Sequence, residues 1–384
     1  MAATNSAADG SNTPTVAGRL SRLDRFLPLW IVAAMAFGIL LGKAAPDLRH
    51  DLERVRFADV SLPVGIGLIW MMYPILAKVR FGRMMQFTAQ PRLMSLSLFL
   101  NWVVGPVLMF TLAWVMLPDL PEYRNGLILI GIARCIAMVL IWNMLARGNQ
   151  ELAALLVAIN SVFQILLYSV LGYFFLAVLP EWLGDEATTV SISMWQIARN
   201  VLLFLGLPFV MAAVTRYGIE RAKGREWFER VVLPKLGPAA LVGLLYTIVV
   251  MFISQGDRIV DSPLDVVRVA LPLTAYFVLM FTGAFLLSKW AGLGYENSTA
   301  VSFTAAGNNF ELAIAVAIGV FGISSGEAFA TVIGPLVEVP VLVGIVYLSL
   351  WLGRMLFRNE AVGAVSGVTE ASNSRPDRRR SEFK

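Results

Sequence analysis

Of 384 residues, 58% are hydrophobic and only 15% are charged, with a mean hydropathy of +0.71. Soluble domains run nearer 45–50% apolar and 25% charged, so this composition excludes a soluble globular protein and points to an integral membrane one. The net charge of +5 comes with one cysteine and one histidine, which excludes an internal disulfide framework and a Cys/His zinc site.

Residues 1–25 form a polar tail whose Ser, Thr and Ala lack the charged start and apolar core of a signal peptide. Scanning onward for runs of about 20 apolar residues, the length that spans a bilayer, predicts ten transmembrane helices. Five fall in a first half over 26–180, at 27–45, 58–78, 95–117, 126–146 and 152–179. Five more fall in a second half over 181–357, at 195–215, 236–254, 266–288, 299–320 and 328–356. The remainder, 358–384, ends in "RPDRRRSEFK" and reads as a disordered tail. His50 sits in the polar connection after the first run, and "GILLGK" (38–43) is too short for a phosphate-binding loop, so Gly38 and Gly42 read as a helix-packing pair.

Orientation follows from the basic residues, which stay on the cytoplasmic side. With both ends cytoplasmic, that side carries 22 Lys and Arg and the outer side 8, with Arg134 left inside the membrane. "KVRFGR" (78–83) and "RYGIERAKGREWFERVVLPK" (216–235) face in, and "EWLGDEA" (181–187) faces out. The basic charge therefore reports topology, with the lipid bilayer as partner and no role for nucleic acid.

Five spans per half is an odd number, so if the halves are repeats they lie inverted in the membrane, as in many secondary transporters. A shift of 176 positions pairs Gly131 with Gly307, Cys135 with Glu311 and Glu151 with Glu327. Runs four and nine are both interrupted, by "GIARC" (131–135) and "TAAGNNFE" (304–311). Such interruptions at matching places in two halves mark a midplane binding site, and unwound backbone is tolerated there only when protein or a watery cavity satisfies it. The predicted class is thus all-α, ten transmembrane helices as two inverted five-helix repeats with broken, crossing helices four and nine.

Three ionisable groups fall inside spans: Arg134, Glu311 and Glu338. At about 2.5–3.5 kcal/mol each, an unpaired trio costs about 8–10 kcal/mol, comparable to a whole folding stability, so they must be paired, hydrated or protonated. Arg134 and Glu338 are candidates for an internal ion pair, and Glu311, beside a helix break, is a candidate proton-coupled site. Asn308 and Asn309 either satisfy the unwound backbone or contact substrate. Asn160 and Gln164, one turn apart in "NSVFQ", either line a cavity or bond neighbouring helices. Free cysteine is often a small buried hydrophobe, but Cys135 lies in the broken segment, and a thiolate is the ligand that soft metal or metalloid centres prefer. One sulfur makes weak, releasable ligation, suited to a carrier rather than to a resident metal centre, and no cofactor is expected.

"GIARCIAMVLIWN" (131–143), "LVAINSVFQILLYSV" (156–170) and "GNNFELAIAVAIGVFGISSGEAFATVIGPLVEVPVLV" (307–343) resemble the arsenite efflux permeases of the arsenical-resistance-three type, in the bile acid/arsenite/riboflavin transporter superfamily. The resemblance covers roughly 25–357. It implies a core domain and a panel domain, and export of arsenite, sometimes antimonite, in exchange for protons. The family's essential cysteine falls on Cys135 and its essential glutamate on Glu311. "WNMLARGNQE" has Met144 where the family often carries an acidic residue, which alters a cytoplasm-side contact. The main rival is a sodium-coupled organic-anion symporter of the same superfamily, using Glu311 and Asn309 for sodium. An intramembrane cysteine enzyme lacks a histidine base within the membrane, and a passive channel would ignore a proton gradient.

Overall fold

The computed structural model describes residues 26–45, 47–48, 52, 56–57, 60–78, 91–184, 193–261 and 263–357. His50, the two terminal tails, residues 79–83 of the 78–83 connection and 185–187 of the 181–187 connection lie outside the described residues. The helices are α1 (Leu27–Ala44), α2 (Leu62–Ala77), α3 (Pro91–Met116), α4 (Pro121–Ile132), α5 (Val139–Leu145) and α6 (Gln150–Trp182). They continue as α7 (Met194–Lys223), α8 (Arg225–Ile253), α9 (Pro263–Trp290), α10 (Tyr295–Ala306), α11 (Phe310–Phe321) and α12 (Gly326–Leu356). A two-residue antiparallel hairpin, β1 (Arg56–Phe57) with β2 (Val60–Ser61), precedes α2. Among the described residues, α3, α6, α7, α8, α9 and α12 are each long and apolar enough to cross a membrane, and α1, α2 and α11 contain shorter apolar helices. The all-α membrane class expected from composition is what the chain adopts.

Helix ends follow local chemistry. Asn149 caps α6 through Oδ1, which accepts from Leu152 N at 3.0 Å, Ser325 caps α12 through Oγ from Ala328 N at 3.1 Å, and Ser193 with Gln196 forms a capping box on α7. Several helices start earlier than hydropathy alone predicts. α8 begins at Arg225 rather than near 236, because Arg225 and Glu229 pair one turn apart at 3.0 Å and keep a charged stretch helical.

Four helices widen by one residue, at Leu100–Val104, Phe174–Val178, Leu202–Gly206 and Phe228–Val232. Each wide turn ends two residues before a proline: Pro106, Pro180, Pro208 and Pro234. Proline brings no N–H and its ring clashes with the carbonyl four residues back. The residue ahead of each proline instead donates five residues back, as in Gly105 N–H to Leu100 O and Leu207 N–H to Leu202 O, giving the π-turn that relieves the clash.

The helices form two bundles. In one, α8 packs along α1 and α2, and α7 packs on α2. Gly38 and Gly42 of α1 meet α8 so closely that a Cβ on either would lie 2.7 Å from Val249 O or 2.6 Å from Ile253 O, the close approach that small residues permit in membranes. In the other bundle α4 packs on α3 and α12, α9 on α10, α12 and α3, and α11 on α12. The bundles meet where α7 lies against α6 and α11, and where α1 touches α12.

Candidate functional site

Both interruptions read from the sequence are present, and they touch. The chain is unwound between α4 and α5 and again over residues 307–309 between α10 and α11. The two extended segments pair antiparallel through Arg134 and Asn308. Cys135 N–H donates to Gly307 O at 3.2 Å and Asn309 N–H donates to Ala133 O at 3.1 Å. This short ladder satisfies backbone groups that no lipid could satisfy. Two helices, α4 and α10, end here with their carbonyls facing the crossing, and two, α5 and α11, begin here.

Arg134, 0% exposed, holds both helix ends. Its guanidinium donates to Tyr276 Oη at 2.9 Å, to Ala305 O at 3.2 Å and to Gly131 O. A cation beside two helix C-termini meets the negative ends of two dipoles, which compensates burial without a carboxylate. Among the described residues no ion pair joins Arg134 to Glu311 or Glu338, so the expected pairing of Arg134 with Glu338 is corrected: the charge is solvated by two carbonyls and a tyrosine hydroxyl.

Asn308, 2% exposed, takes the structural one of its two readings: Nδ2 donates to Ile130 O at 2.7 Å and to Ala133 O at 3.1 Å, tying the end of α4. Asn309 caps α11 through Oδ1 from Leu312 N at 3.1 Å, and its Nδ2 donates to Gln164 Oε1 at 3.4 Å. Asn160 Nδ2 donates to Asn101 Oδ1 at 3.3 Å, and Asn101 Nδ2 donates to Ser97 O at 2.8 Å. Asn160 and Gln164 thus bond neighbouring elements behind the crossing. Sequence reading missed Tyr276 and Asn101; the signal for Asn101 was a polar residue five positions ahead of Pro106, on the turn that proline widens.

A cavity of about 700 Å³ lies between the bundles. Its mouth carries Lys78, Gln150 and Glu151, and its floor carries Ala137, Phe310, Glu311 and Glu338. Glu311 stands in the first turn of α11, where the helix dipole favours negative charge. Glu338 is 4% exposed with Oε1 unpartnered, on a stretch of α12 between Pro335 and Pro340, whose missing N–H groups free carbonyls one turn earlier. Cys135, the free cysteine, is 3% exposed and is not among the residues lining this cavity. The structure therefore brings Glu311 and Glu338 together on one cavity floor, keeps Cys135, Asn308 and Asn309 at the crossing behind it, and leaves Met144 54% exposed at the end of α5.

Residues 65–262 match the sodium bile acid symporter family. Over 352 residues, 92% of this chain and 95% of the relative, the sequence is 53% identical to the arsenical-resistance protein Acr3 of Corynebacterium glutamicum. The chain belongs to the Acr3 arsenical-resistance family. It is also 34% identical to Acr3 of Alkaliphilus metalliredigens over 337 residues, 85% of this chain and 92% of the relative. An uncharacterised transporter of Synechocystis sp. is 36% identical over 360 residues, 88% and 92% of the two chains. Membership in the Acr3 family makes the chain a transporter and not an enzyme.

Proposed function

We propose that this protein exports arsenite, and antimonite with it, from the cytoplasm across the cell membrane by proton antiport, conferring metalloid resistance. The observation that carries the reading is the crossing itself: a lone cysteine on one unwound segment, and a glutamate just past the other, beside a cavity that ends in two carboxylates, in a chain of the Acr3 family. In this reading α1 to α6 form five spans, with α4 and α5 as one broken helix. α7 to α12 form the inverted five, with α10 and α11 as the other. Both termini are cytoplasmic, so the cavity mouth at Lys78 and Glu151 opens inward.

Neutral arsenous acid enters the cavity, and its hydroxyls hydrogen-bond Glu311 and Glu338. The Cys135 thiol then forms an As–S bond as one As–OH bond breaks, and the thiol proton leaves with the hydroxyl as water. Asn308, Asn309, Asn160 and Gln164 hold the two segments rigid while arsenic binds. Rocking of one bundle against the other exposes the site outside, where water returns hydroxyl to arsenic and proton to sulfur. Glu311 takes a proton from outside, and its loss inside completes the cycle.

Everted vesicles test this. Arsenite should accumulate when a proton gradient is imposed, with Cys135→Ser and Glu311→Gln both reducing uptake to background. Uptake that ignores the gradient would remove the antiport step. A sodium-coupled organic-anion symporter is favoured by the match to the bile acid symporter family, but a cavity floor of two carboxylates repels anions. Sodium-dependent uptake of an organic anion, with no arsenite uptake, would establish it instead.

A further inference from the structure

We propose that the cavity between the bundles is also a receptor for amphipathic organic monocations, which seat an amidinium, guanidinium or ammonium head on Glu311 and Glu338 and an apolar body against the walls. Binding of such a cation rests on the cavity alone; its competition with arsenite rests on the function proposed above. The starting point is a mismatch between this cavity and a small hydroxide. A volume of about 700 Å³ falls within the roughly 300–1,000 Å³ of sites that hold drug-sized organic ligands. Apart from Lys78, Gln150 and Glu151 at the mouth and the two carboxylates of the floor, every lining residue is apolar or glycine. Such walls add nothing to a cargo whose surface is all hydroxyl, whereas they take the apolar body of an organic molecule out of water.

Both bundles contribute to the walls. Ile75 of α2 with Leu241 and Leu244 of α8 line the cavity from one bundle, and Ile141 of α5 with Val157 of α6 from the other. The floor is fixed in place. Phe310, which precedes Glu311, packs its ring over Gly334 of α12, where no Cβ would fit, and Glu338 lies one turn beyond Gly334. The two carboxylates are therefore positioned by packed backbone before any ligand arrives, which lowers the cost of binding.

The charge on this floor calls for a cation. Glu338 is 4% exposed with Oε1 unpartnered, and among the described residues no ion pair joins Glu338 or Glu311 to a basic side chain. A buried carboxylate oxygen with no donor is costly until one arrives. An amidinium or guanidinium supplies the opposite charge and two parallel N–H donors together. Of the charged residues that line the cavity, Glu151, Glu311 and Glu338 are acidic and Lys78 alone is basic, so the ionised cavity favours a cation over an anion. A cation seated there occupies the oxygens that would accept from the hydroxyls of arsenous acid, and so it excludes the metalloid.

Naphthamidinium, its neutral isostere naphthamide and the anion naphthoate share one bicyclic body and differ only in the head, while guanidinium carries a head without a body. Their binding is measured by calorimetry on the purified protein in a non-ionic detergent, against empty micelles. Naphthamidinium should bind at least about tenfold tighter than naphthamide, the worth of one charge-assisted hydrogen bond, and at least about tenfold tighter than guanidinium, the worth of the walls. Naphthoate should not bind. Glu311→Gln and Glu338→Gln, which keep the side-chain shape, should each weaken naphthamidinium by at least about tenfold and leave naphthamide unchanged; either variant suffices if the other does not fold. Equal affinity for amidinium, amide and naphthoate overturns the site, as does naphthamidinium binding indifferent to both glutamate variants. In everted vesicles naphthamidinium should raise the KM for arsenite without lowering the maximal rate, and uptake unchanged at saturating naphthamidinium overturns the exclusion. Cys135→Ser leaves every residue lining the cavity in place, so it should bind naphthamidinium as wild type does while losing arsenite uptake. No arsenite uptake by wild type with selective cation binding intact counts against arsenite as cargo and for this site. Arsenite uptake with binding indifferent to the head leaves export standing and overturns this site.

Discussion

Asn308→Ala tests whether the crossing is held by side-chain donors. In the native site the Asn308 amide nitrogen makes two bonds, at 2.7 Å to Ile130 O and 3.1 Å to Ala133 O, while its Oδ1 has no partner. Neither carbonyl is orphaned by the truncation, because Ile130 O also accepts from Ala133 N and Ala133 O from Asn309 N. The loss is therefore two net hydrogen bonds, about 1 kcal/mol each, plus a small unfilled volume, for a total of about 2–3 kcal/mol. For a chain of this size that lowers the unfolding midpoint in detergent by about 2–4 °C. Asn308→Asp sharpens the test: it keeps the volume but replaces the donating nitrogen by an oxygen facing two carbonyls, so it should be less stable than Asn308→Ala. The measurement is thermal unfolding of the three purified proteins under one set of conditions. If Asn308→Asp matched or exceeded the alanine variant, the donor argument would be refuted and Asn308 would have to act through its oxygen.

Arg134→Lys replaces a fork of donors by one compact charge and cannot reach Tyr276 Oη, Ala305 O and Gly131 O together; arsenite uptake should fall to background while membrane insertion, read by immunoblot, persists. Gly42→Leu forces a side chain into Ile253 O, 2.6 Å from the Cβ position, and overpacking of this kind costs about 1–3 kcal/mol; a lower thermal unfolding midpoint than wild type, measured side by side in detergent, is the expected outcome. At the connection between α3 and α4, a hydrogen bond from Arg268 holds Asp119 below the usual carboxylate range. A depressed pKa contributes stability above the unfolded value and loses it as pH falls through the folded one, so this link weakens only below about pH 4. Because Asp119 is fully exposed, Asp119→Asn should leave the unfolding midpoint at pH 7 nearly unchanged.

The breaks at 131–135 and 304–311 were legible because glycine and amides have no other business inside an apolar run, and each did mark a helix end. The prolines were equally visible, yet their effect was not: each could have kinked its helix, and only the backbone shows that they set a wide turn two residues upstream. Helix starts were misread wherever charge rather than hydropathy continues the helix, as at Arg225. The cavity could not be foreseen from residue type, since Glu311 and Glu338 reach one floor only because α11 packs on α12.

The largest misjudgement concerned Arg134, and it is instructive about charge in membranes. An insertion cost of about 3 kcal/mol per ionised group makes pairing of opposite side chains the obvious remedy when only side chains are counted. A broken helix changes the inventory, because its last carbonyls lack intrahelical partners and collectively carry a partial negative charge. Two broken helices that end at one point supply carbonyl acceptors fixed in place by backbone rather than by a flexible side chain. The two terminal nitrogens of Arg134 donate to Gly131 O and Ala305 O, from α4 and α10, and to Tyr276 Oη, while its Nε has no partner. That leaves Glu311 and Glu338 without a permanent cation among the described residues, and a carboxylate that is not locked to an arginine is one that remains able to exchange a proton or a ligand.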